Sequence, residues 1–440
     1  MQNYQGKKIL ILGLGLNQGG VGSAKFFAKA GAQVLVADLK TKKQLQPSIN
    51  QLKEFKNIKY HLGEHKKEDI DWADLIIRNP KLTPSNPYLK YAKQKGKQVE
   101  MDMGIFLQFV KPSQIIGVTG TKGKSTTSSL IYEILKAAGK KVLFAGNIGK
   151  SVLDTVEYLK PDHLVVLELS SFQLEAFDKH QLSPKWAVIT NIYPDHLDYY
   201  QSMQDYIYSK KIIAKYQGKF DYLFLWKDDQ ITTSKEFLAG LIAKPIFFGK
   251  DDLPDDFSPT IKGAHNLDNI SAALAVSKTL GVDQKKTLGA FKNFKGVEFR
   301  LQLVKEVRGI KIYNDSAATN PVPAIAALKS FPNCILIAGG VDKGLDYQDF
   351  ANQIDKTAKL VFFIDGTATD QIKKYIKDDK KVKGTYDNLE KLLSDVKNNA
   401  KSGDIIVFAP GATSFNFFQN EFDRGRKFNA AVEKIFNEKD

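Results

Sequence analysis

The sequence predicts an α/β protein built as three parallel-sheet domains, on three observations. Short apolar runs alternate with helical stretches along the chain. Two of those runs end in glycine-rich turns that open a helix. No low-complexity linker appears, and no repeat recurs at the roughly 20–50-residue spacing of repeat arrays. A length of 440 residues allows two to four domains, since a domain holds roughly 100–200 residues.

The first block opens with KKILILGLG, followed by a helical stretch from Val21 to Gly31, the strand AQVLVADL and the later strand ADLIIRNP. This Rossmann-like alternation fades between Val99 and Lys111, so the first domain is set at residues 1–104. The second block runs over residues 105–298. It carries QIIGVTG, the helical segment TKGKSTTSSLIYEILKAAG, and the strands HLVVLEL and WAVITNI. Apolar runs bounded by polar turns mark buried central strands. The third block, residues 299–440, repeats the Rossmann-like layout with IKIYND, CILIAGG, KLVFFID and DIIVFAP.

Composition narrows the class. Hydrophobic residues at 43% and charged residues at 26% suit a globular protein. No apolar run reaches the roughly 18 residues that a membrane helix needs, so no membrane insertion is expected. The single cysteine, Cys334, rules out an intrachain disulfide framework. The N-terminus lacks the layout of a secretory signal, and a cytoplasmic protein is expected. The net charge of +15 raises nucleic acid as a partner. Against it, only five of the 64 basic residues are arginines, the side chains that fork onto bases, and the lysines are scattered. No nucleic-acid partner is expected; the lysine excess would equally suit anionic substrates.

The strongest local signal is GVTGTKGKSTT, Gly117 to Thr127, between an apolar strand and a helix. Glycines let backbone N–H groups approach phosphate oxygens, and the helix start adds a favourable dipole. Gly120, Thr121, Lys122, Gly123, Lys124, Ser125 and Thr126 would cradle ATP phosphates, with Lys124 on the β- and γ-phosphates and the Ser125 hydroxyl on Mg²⁺. The strict pattern G-x-x-x-x-G-K-[ST] is not met, because Val118 stands at the first glycine position and Gly117 lies one place early. The central domain therefore reads as a P-loop ATPase-like parallel sheet. Glu168 ends the strand HLVVLEL and could hold Mg²⁺ with Ser125.

The N-terminal stretch GLGLNQGGVG, Gly13 to Gly22, also joins a strand to a helix. Gln18 occupies the third glycine position of G-x-G-x-x-G, which disfavours a nicotinamide dinucleotide. A nucleotide diphosphate and a purely structural turn both remain open. Asp38, closing the second strand, stands where a ribose-binding acid often sits.

At LELSSFQLE, Leu167 to Glu175, the sequence resembles the Mur ligases. GTKGKSTT upstream and NIYPDHLDYY downstream carry the same resemblance. AGNIG, HNLDN, FRLQ, YNDSAATN, GGVDKG and PGATSFNFFQNEFDRG follow in the family's order over the whole chain. The SSFQLE wording is similar to the branch that adds D-glutamate to UDP-N-acetylmuramoyl-L-alanine in peptidoglycan precursor synthesis. Such a ligase would use ATP to phosphorylate a carboxylate, and an amine would then displace the phosphate. Both steps gather negative charge, so cations and N–H donors should dominate the site.

The resemblance implies roles residue by residue. His196, in PDHLD, would contact a second Mg²⁺. Lys210 would be carbamylated, turning a cation into an anionic oxygen ligand, although Lys211 is adjacent and sequence alone favours a surface lysine. Lys124, His196 and Lys210 are thus the implied catalytic residues. Asn269, Arg300 and Asp315 match positions near the nucleotide, and ATP is expected in the cleft between the second and third domains. Gly15, Leu16 and Asp38 would meet the uridine diphosphate, and Asn147 the sugar and acyl phosphate. Thr319, Lys343, Ser414 and Phe415 would hold the amino acid. A monomer is expected. Three places depart from the family's wording. Ala317 replaces the usual lysine after NDS. Glu421 replaces an aromatic, with Phe422 one place later. Arg78 and Asn79 stand in the place of a serine–proline–glycine turn.

Overall fold

The computed structural model describes residues 4–437 apart from 17, 84, 197–198, 255–256, 258–260, 262–264, 295 and 415–417. Its strands form three sheets. β1 (Lys8–Leu12), β2 (Gln33–Asp38), β3 (Ile58–Leu62), β4 (Leu75–Arg78) and β5 (Gln98–Glu100) pair in the order β3-β2-β1-β4-β5, all parallel. The second sheet uses β6 (Ile115–Thr119), β7 (Val142–Gly146), β8 (Leu164–Glu168), β9 (Trp186–Ile189), β10 (Tyr222–Trp226) and β11 (Pro245–Phe248). Its order is β11-β10-β9-β6-β8-β7, again all parallel. These two sheets belong to one compact unit and share a core that includes Phe27, Phe106, Val152 and Leu167.

The third sheet lies in a second unit, which the chain enters near residue 295. It contains β12 (Gln302–Val307), β13 (Ile310–Asn314), β14 (Ile335–Gly339), β15 (Leu360–Ile364), β16 (Val382–Tyr386) and β17 (Ile405–Phe408), ordered β12-β13-β17-β14-β15-β16. Side chains alternate faces along a strand. Leu336, Ala338, Val361, Phe363 and Val407 therefore fill one core, while Ile335, Ile337, Phe362, Ile364 and Phe408 fill the other. A strand buried on both faces reads as a continuous apolar run, which is why these strands are legible in the sequence. β12 and β16 are not read there, because QLVKEV and VKGTY are edge strands with polar faces. β12 is the one antiparallel member among the described strands, and a bulge shifts its register between Leu303 and Lys305.

In open α/β sheets, ligands gather beyond the carboxyl ends of the strands. Those ends position many of the candidate residues below, while Asn269 and Lys210 come from helices. No helix among the described residues is long and apolar enough to cross a membrane.

Candidate active site

The loop after β6 turns at Gly120 and Gly123 and opens the helix Lys124–Ala137. Gly123 caps that helix at φ 85°, and a Cβ there would run into the Asn269 side chain, so glycine is required twice over. Asn269 belongs to the helix His265–Thr279, is buried, and accepts the Thr127 hydroxyl at 3.2 Å. The other flank of the loop is stitched to the segment after β9. Thr121 N–H donates to Asn191 O at 2.8 Å, Lys122 N–H to Asn191 Oδ1 at 2.9 Å, and Tyr193 N–H to Thr121 Oγ1 at 3.0 Å. Lys124 Nζ curls back to the carbonyls of Gly120 and Thr121, 2.9 Å from each. Ser125 and Thr126 are half-buried in the first helical turn, and Lys122 is exposed.

β8 lies beside β6 and ends at Glu168, which is 1% exposed. Glu168 Oε1 accepts from Asn147 Nδ2 at 3.1 Å, at the end of neighbouring β7. Its other oxygen, Oε2, is buried with no hydrogen-bond partner among the described residues. A buried carboxylate oxygen is normally satisfied, and this one is suited to a cation. No cluster of three or more His, Cys, Asp or Glu side chains exists among the described residues.

The structure separates the two adjacent lysines of the helix Met203–Lys215. Lys210 is 2% exposed, with Nζ 3.5 Å from Thr119 Oγ1 and 5.0 Å from the Tyr206 ring centroid. Burial holds its pKa well below the ordinary lysine value; the nearby Lys124 cation pushes the same way, and Asp195 and Glu168 oppose it. Lys211 points to the surface and donates to Ala239 O at 2.7 Å. Spacing alone does not separate the two. Tyr206 marks the buried helix face one turn earlier and is the available signal.

His196 is exposed and adopts φ 54°, an uncommon backbone for a non-glycine residue. Its ring lies 5.1 Å from that of Phe172 and 6.3 Å from that of Tyr206, which puts it on the Lys210 side of the site. Sequence reasoning missed Thr190 and Asn191, which brace the phosphate loop through Lys122 O, and Thr119, whose hydroxyl ties the end of β6 to Leu169 O; their polar side chains carry no pattern that marks them beforehand.

At the first sheet, Gly13 (φ 97°) and Gly15 (φ 61°) bend the chain after β1. A Cβ on Gly13 would lie 3.1 Å from Asn79 Cβ, at the turn after β4. Asp38 accepts from Gly15 N–H at 2.9 Å and Lys40 N–H at 2.8 Å, while Ser48 donates to Gly15 O at 2.7 Å. Leu16 is half-buried just beyond.

In the second unit, β13, β17 and β14 are neighbours, and their carboxyl ends bring YNDSAAT, PGATS and GGVDKG together. Val341 and Thr413 form a bridge, with N–H···O distances of 3.0 and 3.2 Å. Ser414 is buried, Thr319 half-buried and Lys343 exposed; Phe415 lies outside the described residues. Asp315 accepts from Leu301 N–H at 3.2 Å, and burial pushes its carboxyl up to about 7 despite Arg300 and Arg424. Arg300 is exposed. Arg424, missed in the sequence, is fully buried and clamps Ser316 O at 2.7 Å and Ala412 O at 3.0 Å. Glu421 opens the helix Glu421–Ile435, where an acid suits the dipole, and its carbonyl accepts the Ser316 hydroxyl at 2.7 Å. Ala317 donates its N–H to Phe299 O at 3.0 Å.

Models of known families match all three parts of the chain. The Mur ligase MurD-like N-terminal domain matches residues 7–100, the Mur ligase middle domain residues 118–262, and the Mur ligase glutamate ligase domain residues 299–411. The UDP-N-acetylmuramoylalanine–D-glutamate ligase of Roseiflexus sp. is 37% identical, covering 98% of this chain and 99% of its own. The chain belongs to the Mur ligase family. The same-named ligase of Borreliella afzelii is also 37% identical to this Mur ligase, over 97% of each chain. Solved structures share its fold. UDP-N-acetylmuramate–alanine ligase MurC of Thermotoga maritima gives a TM-score of 0.63 at 20% identity, covering 97% of this chain and 99% of that one. MurF ligase of the same organism, solved with ADP, gives 0.57 at 19% identity over 99% of each. The family's three-domain α/β architecture is thus the one seen here, with the first two sheets of this Mur ligase in one compact unit.

Proposed function

We propose that this chain is an ATP-dependent ligase that adds D-glutamate to UDP-N-acetylmuramoyl-L-alanine in peptidoglycan precursor synthesis. The observation that carries this reading is the gathering of a phosphate loop and a buried Glu168 oxygen without a partner among the described residues at the ends of adjacent central strands, with the buried Lys210 reaching the end of β6 from the helix Met203–Lys215. Curated relatives of that activity at 33–37% identity over nearly the full chain support the same substrates.

In this reading the domains at 1–104, 105–298 and 299–440 take the nucleotide-linked acyl substrate, ATP and the amino acid. Backbone N–H groups from Gly120 to Thr126 surround the ATP phosphates. Lys124 exchanges its contacts with two loop carbonyls for phosphate oxygens, and Asn269, Arg300 and Asp315 serve the nucleotide. The alanyl carboxylate attacks the γ-phosphorus, ADP leaves, and an acyl phosphate results. The amine of D-glutamate then attacks the acyl carbon, loses a proton, and phosphate departs. Gly15, Leu16 and Asp38 bind the uridine diphosphate, and Asn147 orients the acyl end. Thr319, Ser414 and Phe415 hold the amino acid, and Lys343 pairs with its side-chain carboxylate.

Ser125 and Glu168 suit one Mg²⁺, and His196 with a carbamylated Lys210 suits a second. Bound there, Mg²⁺ would neutralise phosphate charge. Lys210 has the environment for that modification, because burial and the Lys124 cation favour its neutral, nucleophilic amine. The amine forms an N–C bond to CO₂ and releases a proton, and the resulting anion sits beside Lys124. The enzyme is taken to act as a monomer in the cytoplasm, where nucleotide-linked precursors are made. Purified protein supplied with ATP, Mg²⁺, UDP-N-acetylmuramoyl-L-alanine and D-glutamate should release phosphate and yield a nucleotide heavier by one glutamyl group. Phosphate release with a different amino acid, and none with D-glutamate, would overturn the assignment.

A further inference from the structure

Arg78, one of the departures from the family's wording, ends β4 at the turn beside Gly13. Its guanidinium is 11% exposed and donates to Leu82 O at 2.9 Å, fixing that turn. It also forms an ion pair with Glu175, on the helix Ser171–His180 of the central sheet. Glu175 uses its other oxygen to accept the Tyr199 hydroxyl at 2.9 Å. Tyr199 N–H donates to His196 O at 3.0 Å, and its ring packs on Phe172 at 4.5 Å, the same ring that faces His196. A continuous set of contacts therefore runs from the glycine turn of the first sheet to the His196 loop, within one compact unit. The loop needs such support, because His196 holds a left-handed backbone that a non-glycine residue adopts only when its surroundings over-determine it.

We propose that Arg78 and Glu175 are positioning residues that, through Tyr199, set the His196 loop from the turn that flanks the nucleotide end of the acyl substrate. One substrate would span both places, so its two ends would be registered by protein contacts independent of ATP. The kinetic half of this inference rests on the ligase reading above; the structural half does not. Arg78→Met removes the ion pair, Arg78→Lys retains a charge, and Tyr199→Phe removes one hydrogen bond while leaving the ion pair intact.

The test combines amide hydrogen exchange in the free protein with steady-state kinetics. Exchange at Tyr199 and Tyr200, whose N–H groups both donate to His196 O at 3.0 Å, should quicken in Arg78→Met and Tyr199→Phe while β6 and β8 keep their protection. Turnover should fall about tenfold in both variants, as for lost outer-shell partners of a reactive group. The KM for ATP should stay within twofold, and Arg78→Lys should recover most of the loss. Unchanged exchange at Tyr199 and Tyr200 in both variants would overturn the proposal, as would full turnover in both. A wild-type protein that makes no product would refute the ligase reading instead, and the exchange measurement would still decide the link.

Discussion

Two glycine turns in this chain share a local plan, strand to loop to helix, and differ in what closes them. After β6 the loop is fixed from both flanks, by the Asn191 side chain and the Tyr193 N–H on one and the Asn269 side chain on the other, with Lys124 folded across its own carbonyls. After β1 the turn is held by one carboxylate, Asp38, and one hydroxyl, Ser48. The first holds a lysine ammonium on its own carbonyls; the second offers N–H groups with an acid already on one of them. Similar glycine patterns thus prepare different chemistry, and the side chains around the turn decide which.

The sharpest way to break this contrast is Lys124→Ala. It leaves the turn's backbone contacts in place and removes the cation, so activity should fall on the order of 10²–10³-fold, the usual cost of one charge-stabilising donor. Equal activity would make the loop a structural turn like the first. Next is Lys210→Ala, with an expected loss of about 100-fold, partly recovered by a short carboxylic acid that replaces the missing anion. Lys211→Ala should stay within twofold in the same assay, since its ammonium faces a surface carbonyl. Loss in both variants, or in neither, would reject the assignment.

Asp38→Ala should act on the other turn. Freeing Gly15 N–H and loosening the loop should raise the KM for the nucleotide-linked substrate about tenfold with little change in turnover, the signature of uniform binding. A fall in turnover alone would show that the two turns are not divided as described. The smallest effect concerns stability. Asp102 is buried beside the first helix, accepts Met103 N–H at 2.8 Å, and has its carboxyl pushed up to about 6 by burial. A raised folded pKa means that the protonated form is favoured, so stability is lost as pH rises from about 4 to 6. Asp102→Asn should therefore raise the melting temperature at pH 7.5 by a few degrees and make no difference near pH 4. Equal melting at both values would contradict it.

Much of this was legible beforehand. The central strands of all three sheets appear as apolar runs because both of their faces are buried, and the phosphate loop appears because its glycines have no substitute. The SSFQLE segment shows how a motif mixes purposes. Ser170 and Gln173 form a reciprocal helix cap, and Glu175 joins Arg78 and Tyr199, so part of that wording builds the helix rather than the reaction. What the sequence hid was tertiary. Lys210 and Lys211 differ only in which way a helix faces. Arg424 and Asn191 gain their roles from loops far away in the chain. Glu421, a departure from the family's wording, stands in the first turn of a helix, where an acid suits the dipole.

The most direct test of the account is isotopic. The enzyme would be given ATP, Mg²⁺, D-glutamate and UDP-N-acetylmuramoyl-L-alanine labelled with ¹⁸O in the alanyl carboxylate, and the released phosphate analysed by mass. Activation through an acyl phosphate predicts that one labelled oxygen leaves with each phosphate. Product formed without label in the phosphate would contradict the chemistry assigned to the central sheet.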